Sequence, residues 1–516
     1  IDNFDPEAVN PRFRLCLVTM SSPDFPIGIL YQGTKLIYEI PKGIRENMLR
    51  MYNGFNQDEY ETISETEKKL TFHLSFFHAV VLERIQFGSI GWNIPYEFNP
   101  SDLAISRKHL RTFLNEAGMG DIPFEALTYV IGELNYGGRV TDKWDRRLLL
   151  SLLERFFSES IMDKDFSFGE RYTAPSYDSS LPQIEELLNS WPIVTEGADV
   201  GLSKNASTIT ARNEAMKIFN SLVEIQPTLV ASSGPISEEQ FALNFVQSLI
   251  NEVPNEFNLH DFMKKYDLTD TINTVLHHEI LLYNKLLTVI KDSLLTLQKG
   301  LKGLIVIDQR LETLNRQLLA NKIPDMWLEY SFPSILTLRA YMADLNMRIK
   351  FLDNWIRSEK RPIIYKLGTF YHPEEFLTAV LQVYARKHTV AFDSLRWITT
   401  VIDTDKELTE PPEEGIYIEG PYLEGAKWDK TEHHLVECQQ TELISSLPVM
   451  HLLPTEKVDV YDMSITFECP LYRTQNRGSG ALGLPNYIMS MFIPADQEPP
   501  DHWIQRSVAT FITVQL

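Results

Sequence analysis

The chain has 516 residues, 44% of them hydrophobic and 23% charged, with 48 Lys plus Arg against 70 Asp plus Glu and a formal net charge of −22. That is a globular composition with room for about three domains, and it excludes a disordered chain. An acidic surface repels nucleic acid, anionic membrane and acidic polymers, so none of these is expected as a partner without a local basic patch.

Cys16, Cys438 and Cys469 are far apart and show no CxxC spacing, which argues against a disulfide scaffold or zinc finger and fits a reducing compartment. No apolar run approaches the roughly 20 residues that span a bilayer. The start, Ile1 to Pro6, has no basic or apolar leader pattern and no initiator Met; it reads as cut from something longer.

The first element expected is a short buried strand, Phe13 to Met20, an apolar run bounded by Pro11 and by Ser21-Ser22-Pro23. A helix follows from Lys68 to Phe87, with Leu70, Leu74, Phe77, Val81 and Ile85 at three- and four-residue steps. The next begins at Asn99-Pro100-Ser101-Asp102, where Pro100 and Asp102 suit a first turn, and Leu103, Ile105, Leu110 and Phe113 form its apolar side. Pro123 opens a helix through Leu134, and Asp145 to Phe157 forms another. Between them, NYGGRVTD reads as a rigid loop: Gly137 and Gly138 permit tight or positive-φ geometry, Thr141 or Asp142 can cap the next helix, and Trp144 offers apolar area to bury.

Asp163 to Asp178 is a connector dominated by aromatics and turn formers, and Pro182 to Gln382 is mainly helical, with a break at Ser232-Ser233-Gly234-Pro235. The longest periodic segment is Thr271 to Gln298, striped by Ile272, Val275, Leu276, Leu282, Leu286, Ile290, Leu294 and Leu297; it fits a core-facing helix, with a partner-binding coiled coil as the other reading. Gly300 and Gly303 interrupt it. From about Phe392 the pattern turns to short alternating runs between Pro, Gly and Asp clusters, a β-domain of roughly seven strands arranged as a sandwich or partly closed barrel.

The chemistry-bearing motifs are thin. No GxxxxGK[ST] phosphate loop occurs, and Gly478 to Gly483 matches GxGxxG only in spacing, in a β-rich stretch where a hairpin connection is the plainer reading. His277-His278-Glu279 and His433-His434 lack the i, i+4 spacing of a helical metal pair and read as solvated or capping groups. Glu413-Glu414 after Pro411-Pro412 reads as a charged loop. No GxSxG elbow is present. Arg139 either presents a cation rigidly to a phosphate or carboxylate, or makes a structural ion pair with Asp142 or Asp145.

Two stretches escape generic fold rules: GWNIPYEF (Gly91–Phe98) and NYGGRVTDKWD (Asn135–Asp145). Together with Phe13–Leu49, Phe76–Ser106, Phe124–Leu149, Leu294–Trp327, Leu367–Asp393, Gly415–Asp429, Cys469–Thr474 and Trp503–Ala509, in that order, they resemble the C-terminal end of dynein heavy chains, and the wording of the two stretches is similar to axonemal types. Pro192 to Asn258 matches loosely, Lys366 stands where the family commonly has an aromatic, and Phe511 to Leu516 is idiosyncratic.

The resemblance implies an α+β multi-domain fold. Residues 1–162 would be a partial sixth AAA+ module (end of the large subdomain, holding the Phe13 strand, plus a helical small subdomain). Residues 163–391 would be a helical middle, the helical part of the C-terminal domain, and 392–516 the β-rich part of that domain, an antiparallel β-barrel or sandwich. It marks Gly91, Trp92, Pro95, Tyr96, Asn135, Gly137, Gly138, Arg139, Trp144, Gly425, Trp428 and Asp429 as signature positions of structural role. No catalytic, nucleotide-binding or metal residue is expected, and no cofactor in this fragment, ATP and Mg belonging to the parent motor. The implied function is a non-catalytic part of a minus-end-directed microtubule motor that closes the AAA+ ring. The implied partners are the remaining AAA+ modules, the linker and other dynein subunits, with no direct microtubule, nucleic-acid or membrane binding. The implied place is the cytoskeleton of a cilium or flagellum. Two further readings from the residues are a helical scaffold for axonemal proteins and a self-contained enzyme with a β-rich active-site domain.

Overall fold

A computed structural model describes residues 10–514 except 11, 20–21, 23–24, 38–40, 119, 163–165, 226–237, 359, 403–407, 441, 458–459, 479–485 and 496. The protein divides into two bodies, residues 1–41 and 42–516. Among the described residues the first holds one helix, α1 (Ile27–Gln32). The expected strand at Phe13 is not formed: residues 13–19 have no regular structure, and Val18 is 99% exposed. A strand is stable only when a neighbour accepts its backbone hydrogen bonds, and no described strand pairs with this segment.

The second body starts with a helical bundle: α2 (Ile44–Tyr52), α3 (Gln57–Thr62), α4 (Glu65–Arg84), α5 (Pro100–Ala117), α6 (Phe124–Tyr129) and α7 (Lys143–Phe156). α4 is its axis. Ser64 caps it by accepting the Glu67 N–H, and from Leu70 to Arg84 every side chain is buried, as expected of a helix surrounded on all faces. α5 carries a capping box, Asn99 accepting the Ser101 N–H at 3.0 Å and Asp102 the Asn99 N–H at 2.9 Å. Its buried side uses Asp102, Leu103, Ser106 and Leu110, whereas Ile105, expected to face inward, is 48% exposed. α6 does not stop at Leu134; it widens into a π turn (Val130–Tyr136) and tightens into a 3-10 turn (Gly137–Arg139). The GG pair is therefore helical with negative φ, not a positive-φ loop. The connector's aromatics pack onto α4: Phe168 lies 4.5 Å and Tyr172 5.7 Å from Phe76 between centroids.

There follow α8 (Leu181–Ser190), α9 (Ala206–Ile225), α10 (Glu238–Glu252), α11 (Leu259–Lys265), α12 (Thr271–Leu301), α13 (Gln309–Leu319), α14 (Asp325–Leu328), α15 (Leu338–Ser358) and α16 (Pro373–His388). The expected break at Ser232–Pro235 lies outside the described residues. The α12 stripe is buried as predicted except Leu282, which is partly buried, and it faces the core. Gly300 does not interrupt it: the helix runs through Gly300 and ends before Gly303, whose φ of +71° stops it.

The strands are β1 (Ile364–Tyr365), β2 (Arg396–Val401), β3 (Ile416–Ile418), β4 (Tyr422–Glu424), β5 (Lys427–Asp429), β6 (His434–Val436), β7 (Ile444–Ser446), β8 (Met450–Thr455), β9 (Thr466–Tyr472), β10 (Tyr487–Pro494) and β11 (Ala509–Phe511), with α17 (Pro500–Gln505) before the last. Ten of these strands follow Phe392, where about seven were expected. They form a sheet β1-β3-β8-β2, a sheet β10-β9-β11-β4-β7 and a hairpin β5-β6. The expected all-antiparallel arrangement is wrong in two places: β1 runs parallel to β3, and β11 parallel to β9. Both pairs join strands distant in sequence, with helices in the connections, which is where parallel pairing becomes sterically possible. The two large sheets meet through Thr399, whose hydroxyl donates to the Phe492 carbonyl and accepts its N–H at 2.9 and 2.8 Å. One hydrophobic core runs from Val246 to Val508, so α12, α15 and α16 share it with both sheets.

Candidate functional site: an arginine-rich junction

The two signature stretches come together. Asp142 caps α7 by accepting the Trp144 and Asp145 N–H groups at 2.9 and 3.0 Å. This turns Asp145 inward, where its two oxygens accept the backbone N–H groups of Asn93 and Ile94 at 2.9 and 3.1 Å. Burial nevertheless pushes the Asp145 carboxyl up to about 6. The Asn93 amide donates to Asp142 at 3.1 Å and to the Tyr472 hydroxyl at 2.9 Å, carrying the contact to β9. The Tyr96 hydroxyl accepts the Asp142 N–H, and the Trp92 indole donates to the Val81 carbonyl, both at 3.2 Å. Pro95 is exposed.

At the centre sits Arg84, the last residue of α4 and fully buried. Its Nε donates to the Gly91 carbonyl (3.2 Å), Nη1 to the Val200 and Gln505 carbonyls (2.6 and 3.0 Å), and Nη2 to the Ser507 hydroxyl (2.7 Å). Burial lowers its pKa to about 9, Asp145 opposing that shift and Arg477 and Arg155 adding to it. Gly91 is required here: a Cβ would stand 1.8 Å from the Arg84 carbonyl oxygen. Around this residue, Arg155 donates to Gln505 Oε1 at 2.9 Å. Arg477 pairs with Glu424 at 2.5 Å, both buried, and donates to the Ser507 carbonyl at 2.7 Å. Arg147 lies 4.5 Å over the Trp144 ring and donates to the Glu468 carbonyl at 2.9 Å. Trp144 itself packs with Tyr472, Ala509 and Phe511. A cavity of about 30 Å³ remains among these groups, the space of a single water.

Comparison with known proteins places this junction. Residues 212–512 match the family of C-terminal domains of dynein heavy chains, and residues 67–206 match the family of their AAA lid domains. The protein belongs to the dynein heavy chain family. It is 38% identical to Dynein axonemal heavy chain 12 of Mus musculus, over 98% of its own length and 17% of that protein. It is 39% identical to Dynein axonemal heavy chain 3 of Mus musculus (98% and 12%) and 36% to Dynein axonemal heavy chain 1 of Homo sapiens (99% and 12%). It thus spans less than a fifth of the length of these relatives.

In these terms, Arg84, Gly91, Asn93, Asp145, Arg147 and Arg155 are lid residues, and Glu424, Tyr472, Arg477, Gln505 and Ser507 belong to the C-terminal domain. The other signature positions lie elsewhere. Arg139 pairs with Asp102 at 2.9 Å, a structural ion pair, but not with Asp142 or Asp145 as expected. The side chains of those two aspartates are turned toward backbone N–H groups, while Asp102 projects from the neighbouring α5. The Asn135 amide donates to the Ser106 hydroxyl at 3.0 Å. Gly137 sits where a Cβ would meet the Gly132 carbonyl oxygen at 2.3 Å, and Gly138 faces open space. Gly425 has a φ of +86° after β4, Trp428 is buried, and Asp429 accepts the Thr431 and Glu432 N–H groups at 2.7 and 3.2 Å, which hold its carboxyl below the usual range.

Sequence reasoning missed Arg84, Asn93, Arg477, Gln505 and Ser507. The available signal was Arg84 itself, a cation at the end of the nearly unbroken apolar run Phe76–Leu82. Among the described residues no group of three or more metal-ligating side chains assembles. Glu279 serves the backbone instead, accepting the Tyr371 and His372 N–H groups at 2.8 and 3.2 Å just before α16. His277 stacks on Phe262, and His434 Nδ1 lies 3.0 Å from the Glu432 carbonyl oxygen. Residues 479–483 of the GxGxxG run lie outside the described residues.

Proposed function

We propose that this protein is the non-catalytic end of an axonemal, minus-end-directed microtubule motor. Its lid closes the AAA+ ring, and its C-terminal domain packs on that lid as one mechanical piece in ciliary or flagellar movement. The remaining AAA+ modules, the linker and other dynein subunits are its partners, and ATP and Mg act in those other modules. The observation that carries the reading is Arg84: one buried guanidinium from the lid is held by a carbonyl and a hydroxyl of the C-terminal domain. A buried cation is tolerated only where its donors are satisfied, so lid and domain are tied to one relative placement. Such a tie is what coupling through rigid packed elements requires. The axonemal setting is supported by the named relatives. The test is a microtubule-gliding assay of a full-length heavy chain with the Arg84→Met substitution. ATP turnover per head is expected to stay within about twofold while gliding velocity falls severalfold; unchanged velocity would overturn the proposal.

A further inference from the structure

α12 ends in a Schellman turn: Gly303 donates its N–H to the Gly300 carbonyl at 2.8 Å, and Leu304 donates to the Lys299 carbonyl at 2.9 Å. Four exposed apolar residues follow, Leu304, Ile305, Val306 and Ile307. Their exposure alternates, 70% and 91% for Leu304 and Val306 against 39% and 42% for Ile305 and Ile307. Ile305 and Ile307 fold back on the helix end, their Cγ1 atoms 3.9 and 3.0 Å from where a Cβ on Gly300 would stand. Alternation of period two is the habit of a strand, yet no described strand pairs with this segment. Among the described residues nothing accepts the N–H groups of Ile305, Val306 and Ile307. Lys299, Lys302 and Arg310 flank the run, all exposed and without an ion pair among the described residues. The carboxylates of the stretch, Asp308 and Glu312, serve the start of α13, where Asp308 accepts the Leu311 N–H at 2.9 Å.

We propose that Leu304–Ile307 is a docking edge for an extended acidic segment of the same heavy chain outside these 516 residues, which rests on this protein being one end of a longer motor. Unpaired backbone donors in a strand-like run are completed by an extended backbone laid alongside. Leu304 and Val306 call for apolar side chains at alternate positions of that segment. Three unpaired cations, in a protein of net charge −22, call for carboxylates between them. The small size of the edge decides the source. Four residues offer far less than the roughly 800 Å² per partner of a stable free-standing interface, so a separate subunit would be held weakly. A tethered segment docks instead at an effective concentration on the order of millimolar. The matched region covers 17% of Dynein axonemal heavy chain 12 and 12% of Dynein axonemal heavy chain 3 of Mus musculus, which leaves ample chain in such proteins to supply the segment.

The experiment compares the 516-residue protein with a full-length heavy chain by hydrogen exchange and by zero-length amine–carboxylate cross-linking, both read by mass spectrometry. In the 516-residue protein the Ile305, Val306 and Ile307 amides are expected to exchange near the rate of an unstructured chain, and in the full-length chain at least about tenfold more slowly. Lys299 or Lys302 is expected to couple to an Asp or Glu of the same polypeptide outside the 516 residues. The full-length double variant Lys302→Glu, Arg310→Glu is expected to lose the protection; both side chains being exposed, the same double variant of the 516-residue protein is expected to keep its circular dichroism and melting temperature. A heavy chain that glides microtubules while these amides exchange fast overturns this inference alone, since the motor reading is decided by gliding. Fast exchange in both proteins, slow exchange in both, protection indifferent to the charge reversal, or coupling to a different polypeptide would each overturn the proposal.

Discussion

Gly137 and Gly138 are adjacent in sequence and chemically identical, yet the structure assigns them opposite tolerances. A Cβ on Gly137 would stand 2.3 Å from the Gly132 carbonyl oxygen and 3.3 Å from its carbon. Relief requires a backbone shift approaching 1 Å, since an ordinary contact begins near 3.2–3.4 Å. Gly132 has little freedom to yield: the space beside its own Cα is filled by Leu150 and Leu153 of α7, at 2.7 and 2.9 Å from where its Cβ would be. The Gly137→Ala variant therefore falls in the overpacking class, at about 2–3 kcal/mol. With lid and C-terminal domain melting as one unit, the shift is about 1 °C per kcal/mol at that size, so the single transition should fall by about 2–3 °C. The Gly138→Ala variant meets nothing within 4 Å and has no positive φ to lose. It should be neutral or stabilised by up to about 1 kcal/mol through the unfolded state. Thermal melts and urea midpoints of the two single variants decide the matter. Equal destabilisation by both would refute the argument and restore the loop reading of the GG pair.

The remaining predictions are simpler. His73 and His78 are buried with pKa values lowered to about 3, desolvation being the main cause for each; the unfolded state binds their protons first, so stability should fall as pH drops from about 6.5 toward 3. Together they contribute a slope of about 2.7 kcal/mol per pH unit, and urea midpoints at pH 7 and pH 5 that coincide would contradict this. Arg139→Met should cost no more than about 1 kcal/mol, because that side chain is 41% exposed in its pair with Asp102; a larger loss in melts would point to a further role. Calorimetry with Mg-ATP should show no saturable site, given that no phosphate loop stands in the sequence. Co-sedimentation with microtubules at physiological salt should leave the protein in the supernatant, tubulin being acidic like this surface; stoichiometric pelleting would count against the proposed role.

Periodicity made the long helices legible. Leu70–Ile85 and Ile272–Leu297 are stripes that local spacing displays, and the Asn99–Asp102 and Asp142 caps are written in the sequence. The short strands were legible as alternating runs, but their pairing was not, because β1 meets β3 and β11 meets β9 through contacts that no local pattern encodes. The Phe13 run shows the converse: a strand-like sequence forms no strand without a paired neighbour. At the junction, GWN and VTDKWD stood out as unusual, yet what they surround did not. Arg84 contacts residues more than 400 positions away, in Gln505 and Ser507. The reason for Gly91 emerges only with the Arg84 carbonyl beside it. For Arg139 the sequence pointed to an ion pair; the partner was hidden because α5 brings Asp102 across.

If lid and C-terminal domain form one mechanical unit held at Arg84, differential scanning calorimetry of the protein with and without Arg84→Met will show it. Methionine fills the stem but leaves the Gly91, Val200 and Gln505 carbonyls without their buried donor, at about 1–3 kcal/mol for each group left unsatisfied. The lid and C-terminal regions of the unsubstituted protein are expected to melt in a single transition, and the variant to resolve into two, the lower shifted by several degrees. Two independent transitions in the unsubstituted protein, or a variant that melts as it does, would contradict it.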